Sequence, residues 1–285
     1  MKTAMPSEPF FSGASLDRAD ALRADEKELE ALARRADARQ LQWQGGLPQL
    51  DSEGRLMWSS ASNPELFLGL EGGSPRFSAI EPVTADARTA FPLMALLDSK
   101  DAPLFAAALS LARWHSRHVF CANCGHSSDL VRGGWSRSCR SCSSEHYPRV
   151  DPVVIMLAEQ DGRLLLGRQA HFPANRYSAL AGFIEVGESI EAAVARELFE
   201  EAGIRVFNIH YVASQPWPFP SSLMIGCHAE TQSAQLTIDT NELQDARWFT
   251  REEVQAALGE DREAVFRPPP KSAIARTLLE RWLGA

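Results

Sequence analysis

The stretch from Gly182 to Ile204 constrains this chain more than any other part of the sequence. Its second half is rich in good helix formers, and Gly203 stands where a glycine commonly ends a helix. At about 100° per residue, Ile190 and Val194 fall on one apolar stripe of that helix. The stretch therefore predicts a short amphipathic helix that packs one side against a core.

Three glutamates lie on or beside this stripe, where a solvated helix would not place them. Glu197 and Glu201 fall on the stripe, and Glu200 falls on its edge. Because a buried, unpaired carboxylate is costly, acids stacked one turn apart favour a cation bound between them. Mg²⁺ suits such a site, since it accepts one or two protein carboxylates and fills its other positions with water and substrate phosphates.

The alternative is a charged surface helix with ordinary salt bridges, which is the common fate of a run rich in glutamate and arginine. Arg196 can pair with a neighbouring acid and hold it in place under either interpretation. The helix alone leaves both interpretations open.

The wider pattern of glycines and charged residues is more specific than the helix. Its defined positions are Gly182, Glu188, Arg196-Glu197-Leu198, Glu200-Glu201 and Gly203-Ile204. This spacing resembles the Nudix hydrolase box at every defined position. The resemblance implies an α/β/α sandwich that cleaves nucleoside diphosphates linked to another group. It also implies a divalent metal site formed by Glu197, Glu200, Glu201 and the backbone carbonyl of Ala181.

Four of the five cysteines form two C-x-x-C pairs, Cys121 with Cys124 and Cys139 with Cys142. Two such turns can close a tetrahedron of thiolates around Zn²⁺, and four thiolates leave no open position, so we expect one structural zinc. The alternative, two reduced redox pairs, lacks the βα context of such motifs. The sequence begins without an evident secretory signal, and in such a chain these pairs favour metal binding over disulfides. We therefore expect a cytoplasmic location.

Net charge and the distribution of apolar residues limit which kinds of binding partner the protein can have. The chain has 285 residues, enough for two domains, and a net charge of −8. That charge argues against a broad basic surface for long nucleic acid, but not against gripping a short phosphorylated end. No apolar run approaches the ~18 residues that span a bilayer, so no membrane partner is expected.

The order of motifs predicts an α/β (α+β) chain of three parts. Residues 1–115 form a small α+β domain ending in a connector helix at 104–115, residues 116–148 the zinc ribbon, and residues 149–285 the Nudix domain. Further expectations are a helix from 19 to about 39 broken near Asp25, and an Asp161-Gly162 hairpin turn. Strands are expected at 39–43, 54–58, 65–72, 153–159, 164–167, 205–214 and 222–230, with two short ones within 236–249.

Three prolines within five residues make the segment 214–222 stiff and extended, so it cannot be an interior strand or a helix. A stiff segment can present Trp217 and Phe219 as a binding platform. The alternative is a rigid connector whose aromatic rings pack inward. This motif, after a Nudix box and a four-cysteine ribbon, resembles the NAD(H) pyrophosphatase branch of the family.

The resemblance implies hydrolysis of the central pyrophosphate of NADH or NAD⁺ to nicotinamide mononucleotide and AMP, removal of NAD caps from RNA 5′ ends, and a homodimer. It implies that Tyr147 and Phe183 stack on the nicotinamide, that Glu242 contacts metal and that Ala275 lies against the substrate. It also implies a pocket lined by Gln215, Pro216, Trp217, Pro218, Phe219, Pro220, Ser221 and Ser222.

Pyrophosphate cleavage requires Mg²⁺ or Mn²⁺ ions that neutralise phosphate oxygens and make a water more acidic. Glu197, Glu200, Glu201 and Glu242 would arrange them, and either Glu200 or Glu201 could be the base. Two alternatives are a Nudix hydrolase for ADP-ribose, dinucleoside polyphosphates or nucleotide sugars, and a non-catalytic nucleotide sensor. A sensor would be expected to have lost a box glutamate, and none is lost here.

Overall fold

A computed structural model describes residues 8–13, 16–62, 64–82 and 87–284, apart from the side chains of 87–89 and 91. The chain divides into two compact units. The N-terminal unit comprises residues 11–150 and 216–221, and the C-terminal unit comprises residues 151–215 and 222–285 with the described part of 1–10. Within the described residues, every helix is too short or too polar to cross a bilayer.

The N-terminal unit is built on a five-stranded sheet. Its elements are β1 (Leu16–Asp17), α1 (Glu26–Ala33), β2 (Arg39–Leu41), β3 (Trp43–Gln44), β4 (Leu47–Pro48), β5 (Trp58–Ser60), β6 (Leu66–Glu71), β7 (Ser74–Ser78), α2 (Ala87–Leu96) and α3 (Ala102–Arg117). The strand order is β1-β6-β7-β2-β5, and β3 pairs with β4 in a separate hairpin.

The predicted break near Asp25 is confirmed. A 3₁₀ helix over Asp20–Ala24 ends there, and the Asp25 carboxylate then caps α1 by accepting hydrogen bonds from the backbone N–H groups of Lys27 and Glu28. Side-chain oxygens at this position satisfy N–H groups that have no partner within the helix.

The strand predicted over 54–58 is misplaced: the strand runs over Trp58–Ser60, and before it Leu56 forms only an isolated bridge with Leu50. The Asp51 carboxylate accepts hydrogen bonds from the backbone of Glu53 and Arg55, which folds this part of the chain into a turn. Gly54 has a φ of +78° and packs so closely that an added Cβ would lie 1.8 Å from the carbonyl oxygen of Leu96.

A three-stranded antiparallel ribbon completes the N-terminal unit. Strands β8 (Ser128–Val131), β9 (Ser136–Cys139) and β10 (Glu145–His146) lie in the order β10-β9-β8. His115 of α3 contacts this ribbon, with its Nε2 2.7 Å from the carbonyl oxygen of Gly134 and its Nδ1 3.2 Å from Nη1 of Arg137. Burial lowers the pKa of His115 to about 4, so its neutral ring donates to Gly134 and accepts from Arg137.

The C-terminal unit is a mixed sheet between two helical layers. Its elements are β11 (Asp151–Gln160), β12 (Arg163–Arg168), β13 (Leu180–Phe183), α4 (Ile190–Ala202), β14 (Phe207–Trp217), β15 (Ser222–Glu230), β16 (Asp245–Thr250), α5 (Arg251–Leu258) and α6 (Ile274–Gly284). The strand order is β14-β15-β11-β12-β16, and β13 pairs with the first half of β11.

Strand β11 is the centre of this unit, because its alternate side chains enter two different cores. Val154 and Met156 belong to the cluster that packs under α4, whereas Ile155 and Leu157 belong to the cluster that packs under α6. The predicted α/β/α sandwich is thereby confirmed.

The hairpin predicted at Asp161 and Gly162 is also confirmed. Asp161 and Gly162 have φ values of 48° and 72° and join β11 to β12 as a tight hairpin. The Thr250 side chain and the Glu253 side chain form a reciprocal capping box at the start of α5.

Two strand predictions need correction. Strand β14 runs on to Trp217, past its expected end at 214, because it lies at the edge of the sheet, where proline is tolerated. Between 236 and 249 only Asp245–Thr250 is a strand. The preceding residues bind the end of α4 instead, since the N–H groups of Thr237 and Asp239 donate to the carbonyls of Ala202 and Glu201 at 2.9 and 3.0 Å.

Gly203→Ala is expected to lower the free energy of unfolding by about 2–3 kcal/mol, because residue 203 has a left-handed φ of 71° and an added Cβ would lie 2.7 Å from the Cβ of Thr237. Gly162→Ala is the matched control, with a φ of 72° and open space around it, and should cost about 1 kcal/mol. Urea unfolding of both variants measures the difference, and equal losses would contradict the close contact.

Candidate active site and zinc site

Helix α4 has both its ends fixed by local chemistry. The Ser189 hydroxyl accepts a hydrogen bond from the backbone N–H of Ala192 at 3.2 Å, and Gly203 closes the helix in the left-handed conformation. The predicted glycine stop is confirmed. Because the caps determine where α4 begins and ends, they also determine the direction in which each glutamate side chain leaves the helix.

The acids of α4 divide into a buried pair and an exposed partner, as the periodicity predicts. Glu197 is 8% exposed and Glu201 is 3% exposed, and they lie among the fully buried side chains of Val194 and Leu198. The Glu200 side chain is 59% exposed. Two carboxylates therefore enter the core side of a helix, which only pairing or a bound cation makes tolerable.

Arg196 connects these acids to the preceding loop. It donates two hydrogen bonds to the carboxylate of Glu188, at 2.9 and 2.8 Å, and one to the carbonyl oxygen of Phe183 at 2.9 Å. Its Nη1 donates to Glu197 at 2.8 Å and to Glu200 at 3.1 Å. The hydrogen bonds from Arg196 to Glu188 lower the pKa of Glu188 to about 2. The Glu188 carboxylate therefore stays charged and keeps its loop bound to Arg196 of α4.

Gly182 makes room for one of the buried acids. A Cβ at this position would lie 1.8 Å from the carboxyl carbon of Glu197 and 2.0 and 2.2 Å from its oxygens. Any side chain here would therefore displace the carboxylate. The carbonyl of Ala181, the predicted backbone metal ligand, belongs to the peptide bond that enters Gly182.

Glu242 is exposed and stands near the same acids, although it is far away in sequence. The N–H groups of Glu242 and Leu243 donate to the carbonyl of Asp239, at 3.2 and 2.9 Å, and Asp239 itself is bonded to the end of α4. The charge of Glu242 contributes to raising the pKa of both Glu197 and Glu201. Sequence periodicity offered no signal for the Asp239 contact, because it joins a loop to a helix terminus.

Glu201 is the least satisfied member of the cluster. Burial, followed by the charges of Glu197, Glu242 and Glu200, raises its pKa to about 8. Its Oε2 is buried and has no hydrogen-bond partner among the described residues. Burial also raises the pKa of Glu197, against the lowering effect of Arg196. Among the described residues only the ribbon cysteines bring three or more ligand atoms within 4.8 Å of one another, so these acids are not gathered around one point. A buried oxygen without a partner among oxygen donors nevertheless suits a hard divalent cation.

The four ribbon cysteines fit zinc closely. One ligand atom from each of Cys121, Cys124, Cys139 and Cys142 lies within 4.8 Å of the others. The two closest sulfur pairs are 3.6 and 3.5 Å apart. A tetrahedron with zinc–sulfur bonds of about 2.3 Å has edges of about 3.8 Å, so little rearrangement is needed. The cluster is closed, as a structural zinc site requires.

The predicted substrate residues are distributed over both units. Tyr147, in the N-terminal unit, is 61% exposed and donates a hydrogen bond to Glu145. Phe183, in the C-terminal unit, is 60% exposed. Both rings offer accessible faces for stacking.

The proline-rich segment packs within the N-terminal unit. Trp217 meets the rings of Phe11 and Phe219 edge-on, with centroids 6.0 and 5.2 Å apart. Arg113, on α3, donates to the carbonyl oxygen of Pro218 at 2.8 Å and lies 5.2 Å from the Phe219 ring. Neither Arg113 nor Phe11 stands in a motif that would have pointed to these contacts. These contacts match the inward-packing alternative, and the role of the segment toward a substrate stays a prediction.

The remaining predicted pocket residues differ in exposure. Pro216 and Pro220 are exposed, whereas Ser222 is 7% exposed and Gln215 is fully buried, donating to the carbonyl of Ser272 at 3.0 Å. Ala275 is 1% exposed in the core under α6. Its predicted contact with a substrate therefore gains no support from its position.

Comparison with known proteins agrees with this architecture. The NUDIX domain model matches residues 148–268, and the NADH pyrophosphatase zinc ribbon model matches residues 116–147. The fold and the acids thus define a Nudix domain preceded by a zinc ribbon.

Similar proteins narrow the family further. The chain is 36% identical to the NAD-capped RNA hydrolase NudC of Mycobacterium bovis, over 97% of this chain and 95% of that protein. It is 48% identical to human NAD-capped RNA hydrolase NUDT12 over 67% of the chain, and 44% identical to mouse mitochondrial NAD(P)H pyrophosphatase NUDT13 over 66%. The matched regions span 44% and 56% of those two relatives. The chain belongs to the Nudix hydrolases that carry the NADH pyrophosphatase zinc ribbon.

We expect the protein to contain one zinc ion per chain, released when the thiols are titrated with a mercurial and measured with a colorimetric chelator. Cys142→Ser should lose that zinc and lower the unfolding temperature, because three thiolates leave the tetrahedron open. Cys227→Ala is the control, since Cys227 is a buried thiol outside the cluster and should not alter zinc content. Full zinc retention by Cys142→Ser would contradict the assignment.

The pKa of Glu201 predicts a pH-dependent stability when Mg²⁺ and Mn²⁺ are withheld. The carboxyl has a pKa of about 8 when folded against an ordinary value of 4.5, so between those values the folded state holds a proton that the unfolded state has lost. The free energy of unfolding should therefore fall as pH rises from 4.5 to 8, by an amount on the order of 4 kcal/mol.

Urea unfolding across this range should show that Glu201→Gln removes most of the slope. Glu200→Gln should retain it, since the Glu200 side chain is largely exposed. Added Mg²⁺ should restore stability at pH 8 in the wild type. A slope in Glu201→Gln equal to that of the wild type would show that another group is responsible.

Proposed function

We propose that this protein hydrolyses the central pyrophosphate of NADH and NAD⁺, giving nicotinamide mononucleotide and AMP, and removes NAD caps from RNA to leave a 5′-monophosphate. The observation that carries the proposal is the buried pair Glu197 and Glu201, whose unsatisfied oxygen and mutual repulsion suit divalent cations. Similar proteins named as an NAD-capped RNA hydrolase and as an NAD(P)H pyrophosphatase add support.

The residues that would hold the cations are Glu197, Glu200, Glu201, Glu242 and the carbonyl of Ala181. When bound, Mg²⁺ or Mn²⁺ neutralises charge on the pyrophosphate and makes a coordinated water more acidic. Arg196 keeps Glu197 and Glu200 oriented, and Gly182 leaves space for the Glu197 carboxylate. Either Glu200 or Glu201 would accept the proton of the attacking water.

Discrimination among dinucleotides would come from aromatic stacking. Phe183 and Tyr147 expose most of their surface, and stacking on a planar nicotinamide uses ring faces without needing a buried polar partner. Residues 215–222 would supply the remaining contacts through the parts of the segment that are exposed.

A second candidate is a Nudix hydrolase for ADP-ribose, dinucleoside polyphosphates or nucleotide sugars. The packing of Trp217 on Phe219 and Phe11 favours it, because half-buried rings that pack edge-on against one another offer less free surface as a platform. The catalytic cluster would be the same in both cases, and only the substrate would differ.

The proposal includes Mg²⁺ or Mn²⁺ as the catalytic cations, a cytoplasmic location and a homodimer. The cysteine pairs support a reducing compartment, since they fit one zinc cluster. The homodimer has only the family resemblance as support.

Side-by-side kinetics on NADH, NAD⁺, ADP-ribose, a diadenosine polyphosphate and an NAD-capped RNA, each with Mg²⁺ and with Mn²⁺, test the proposal. We expect kcat/KM for NADH to exceed that for ADP-ribose at least tenfold, and the capped RNA to yield a 5′-monophosphate. Comparable values for ADP-ribose and NADH would favour the second candidate.

Glu201→Gln should lower kcat by about 100-fold or more, because it removes a charge that holds the cations. Glu191→Gln removes an exposed carboxylate from the same helix and should leave kcat unchanged. Near-normal turnover in Glu201→Gln would argue against the assigned cluster.

A further inference from the structure

Three arginines come together in the C-terminal unit where the loop between β12 and β13 meets the segment that precedes α6. Arg168 ends β12, and Arg176 lies in the loop that follows it. Arg267 forms an isolated parallel bridge with Arg176. The backbone N–H of Arg267 donates to the carbonyl of Asn175 at 2.7 Å, and its own carbonyl accepts from the N–H of Tyr177 at 3.3 Å. We call Arg168, Arg176 and Arg267 the basic surface.

The basic surface has no acidic partner among the residues that the structure describes. Nη1 of Arg168 donates to the carbonyls of Phe172 and Pro173, at 3.2 and 3.4 Å. Within the same described residues, Arg176 has a buried Nε without a hydrogen-bond partner, and the exposed Arg267 makes no side-chain hydrogen bond or ion pair. Backbone carbonyls hold Arg168 in place but do not neutralise it, so all three positive charges remain.

The carboxylate that lies opposite Arg168 in the sheet is engaged elsewhere. Asp245 pairs with Arg168 in the register of β12 and β16, but its carboxylate accepts from the Tyr177 hydroxyl and from Nε of Arg247, the latter at 2.6 Å. The basic surface therefore keeps its excess of positive charge in a protein whose net charge is −8. A local excess of this kind attracts an anionic ligand to one place on the protein.

The basic surface adjoins the acidic cluster. The N–H of Gln244, two residues beyond Glu242, donates to the carbonyl of Arg168 at 2.8 Å. On the other side, the loop that carries Arg176 runs directly into β13 and reaches Gly182 after six residues, a span of about 20 Å at most. A ligand that extends beyond the acids by a few nucleotides can therefore reach the arginines.

The same loop also presents an aromatic ring. His171 is exposed, and its ring meets that of Phe172 edge-on with centroids 4.9 Å apart. This contact limits the positions of the His171 ring and leaves it accessible to a ligand. Sites for single-stranded nucleic acid combine basic groups for the phosphates with aromatic rings on which bases stack. A free phosphate ion or an acidic peptide would use the arginines alone.

We propose that the basic surface binds the first nucleotides of the RNA that follows an NAD cap, with the arginines on its phosphates and His171 stacked on a base. This inference rests on the proposed removal of NAD caps. Three arginines suit a short single-stranded end, whereas a long duplex would need a broader basic surface. Free NADH has no nucleotides beyond its own two, so the basic surface would favour capped RNA over the dinucleotide.

Fluorescence anisotropy of a 3′-labelled, NAD-capped single-stranded RNA of about ten nucleotides tests the surface. The full chain is used without divalent cations, so that binding is measured without turnover. Arg267→Gln should weaken binding about fivefold, and Arg176→Gln combined with it at least tenfold. The plot of log affinity against log salt concentration should become less steep by about 0.7 for each phosphate contact removed. Wild-type affinity and slope in the double variant would overturn the proposal.

Arg205→Gln is the matched control, because it removes an exposed arginine from another part of the same unit. The carbonyl of Arg205 accepts from the Thr231 hydroxyl, and the N–H of Thr231 donates to the carbonyl of Glu159 near the far end of β11. Affinity and salt slope should stay within twofold and unchanged, respectively. A loss equal to that of Arg267→Gln would show a general charge effect and would overturn the assignment.

Three further measurements separate this surface from its alternatives. Arg267→Lys keeps the charge and should recover most of the affinity that Arg267→Gln loses, and an equal loss in both would overturn a phosphate contact. A peptide of about ten glutamates should compete at least tenfold less well than unlabelled RNA of the same length, because it offers no bases to stack. Equal competition would overturn the RNA assignment.

Kinetics with Mg²⁺ distinguish the RNA chain from the cap. Arg267→Gln should lower kcat/KM for capped RNA about fivefold, and an equal loss for NADH would place the arginine at the dinucleotide and overturn the inference. A wild-type protein that binds the RNA through the arginines but hydrolyses neither substrate would contradict the proposed function alone.

Discussion

Repulsion between buried carboxylates is the interaction around which the C-terminal unit is organised. Glu197 and Glu201 are both kept from water, but Arg196 pairs only with the first of them. The second retains an unsatisfied oxygen and a pKa near 8. The folded protein therefore holds an electrostatic cost that a cation relieves, which links metal binding to stability as well as to chemistry.

Several local features of the C-terminal unit serve to hold the buried carboxylates close to one another. The caps of α4 fix the direction of the acids, Gly182 provides the space that one of them occupies, and the loop after residue 236 delivers Glu242 to the same place. Each feature is ordinary alone. Together they hold like charges close to one another, which is the arrangement that functional sites maintain at the expense of stability.

The sequence predicted most where the signal was local. The start and stop of α4, the break at Asp25, the Asp161-Gly162 hairpin and the cysteine turns each depend on residues close in the chain, and each is found. The strand predictions for 54–58 and for the residues before Asp245 were inaccurate because contacts outside the strand pattern decide the conformation there. There a carboxylate cap and a loop bonded to α4 outweighed the strand propensity, and neither contact is encoded by periodicity.

Contacts between segments that are far apart in the sequence likewise could not be predicted from one sequence. Arg113 and Pro218 are 105 residues apart, and only the fold brings the guanidinium to that carbonyl. The proline motif predicted a stiff segment correctly, but it could not predict which side the rings would face. Side-chain direction in an irregular segment depends on the packing partners that it meets.

The membership of residues 216–221 in the N-terminal unit has a consequence for any attempt to dissect this chain. A fragment excised from residue 151 onward would keep the box and every acid, yet it would carry Trp217 and Phe219 without Phe11 or Arg113 to cover them. Two unprotected aromatic rings on a proline-stiffened strand invite self-association. A fragment that begins at the predicted start of the Nudix domain would therefore lack contacts that residues 216–221 make in the whole protein.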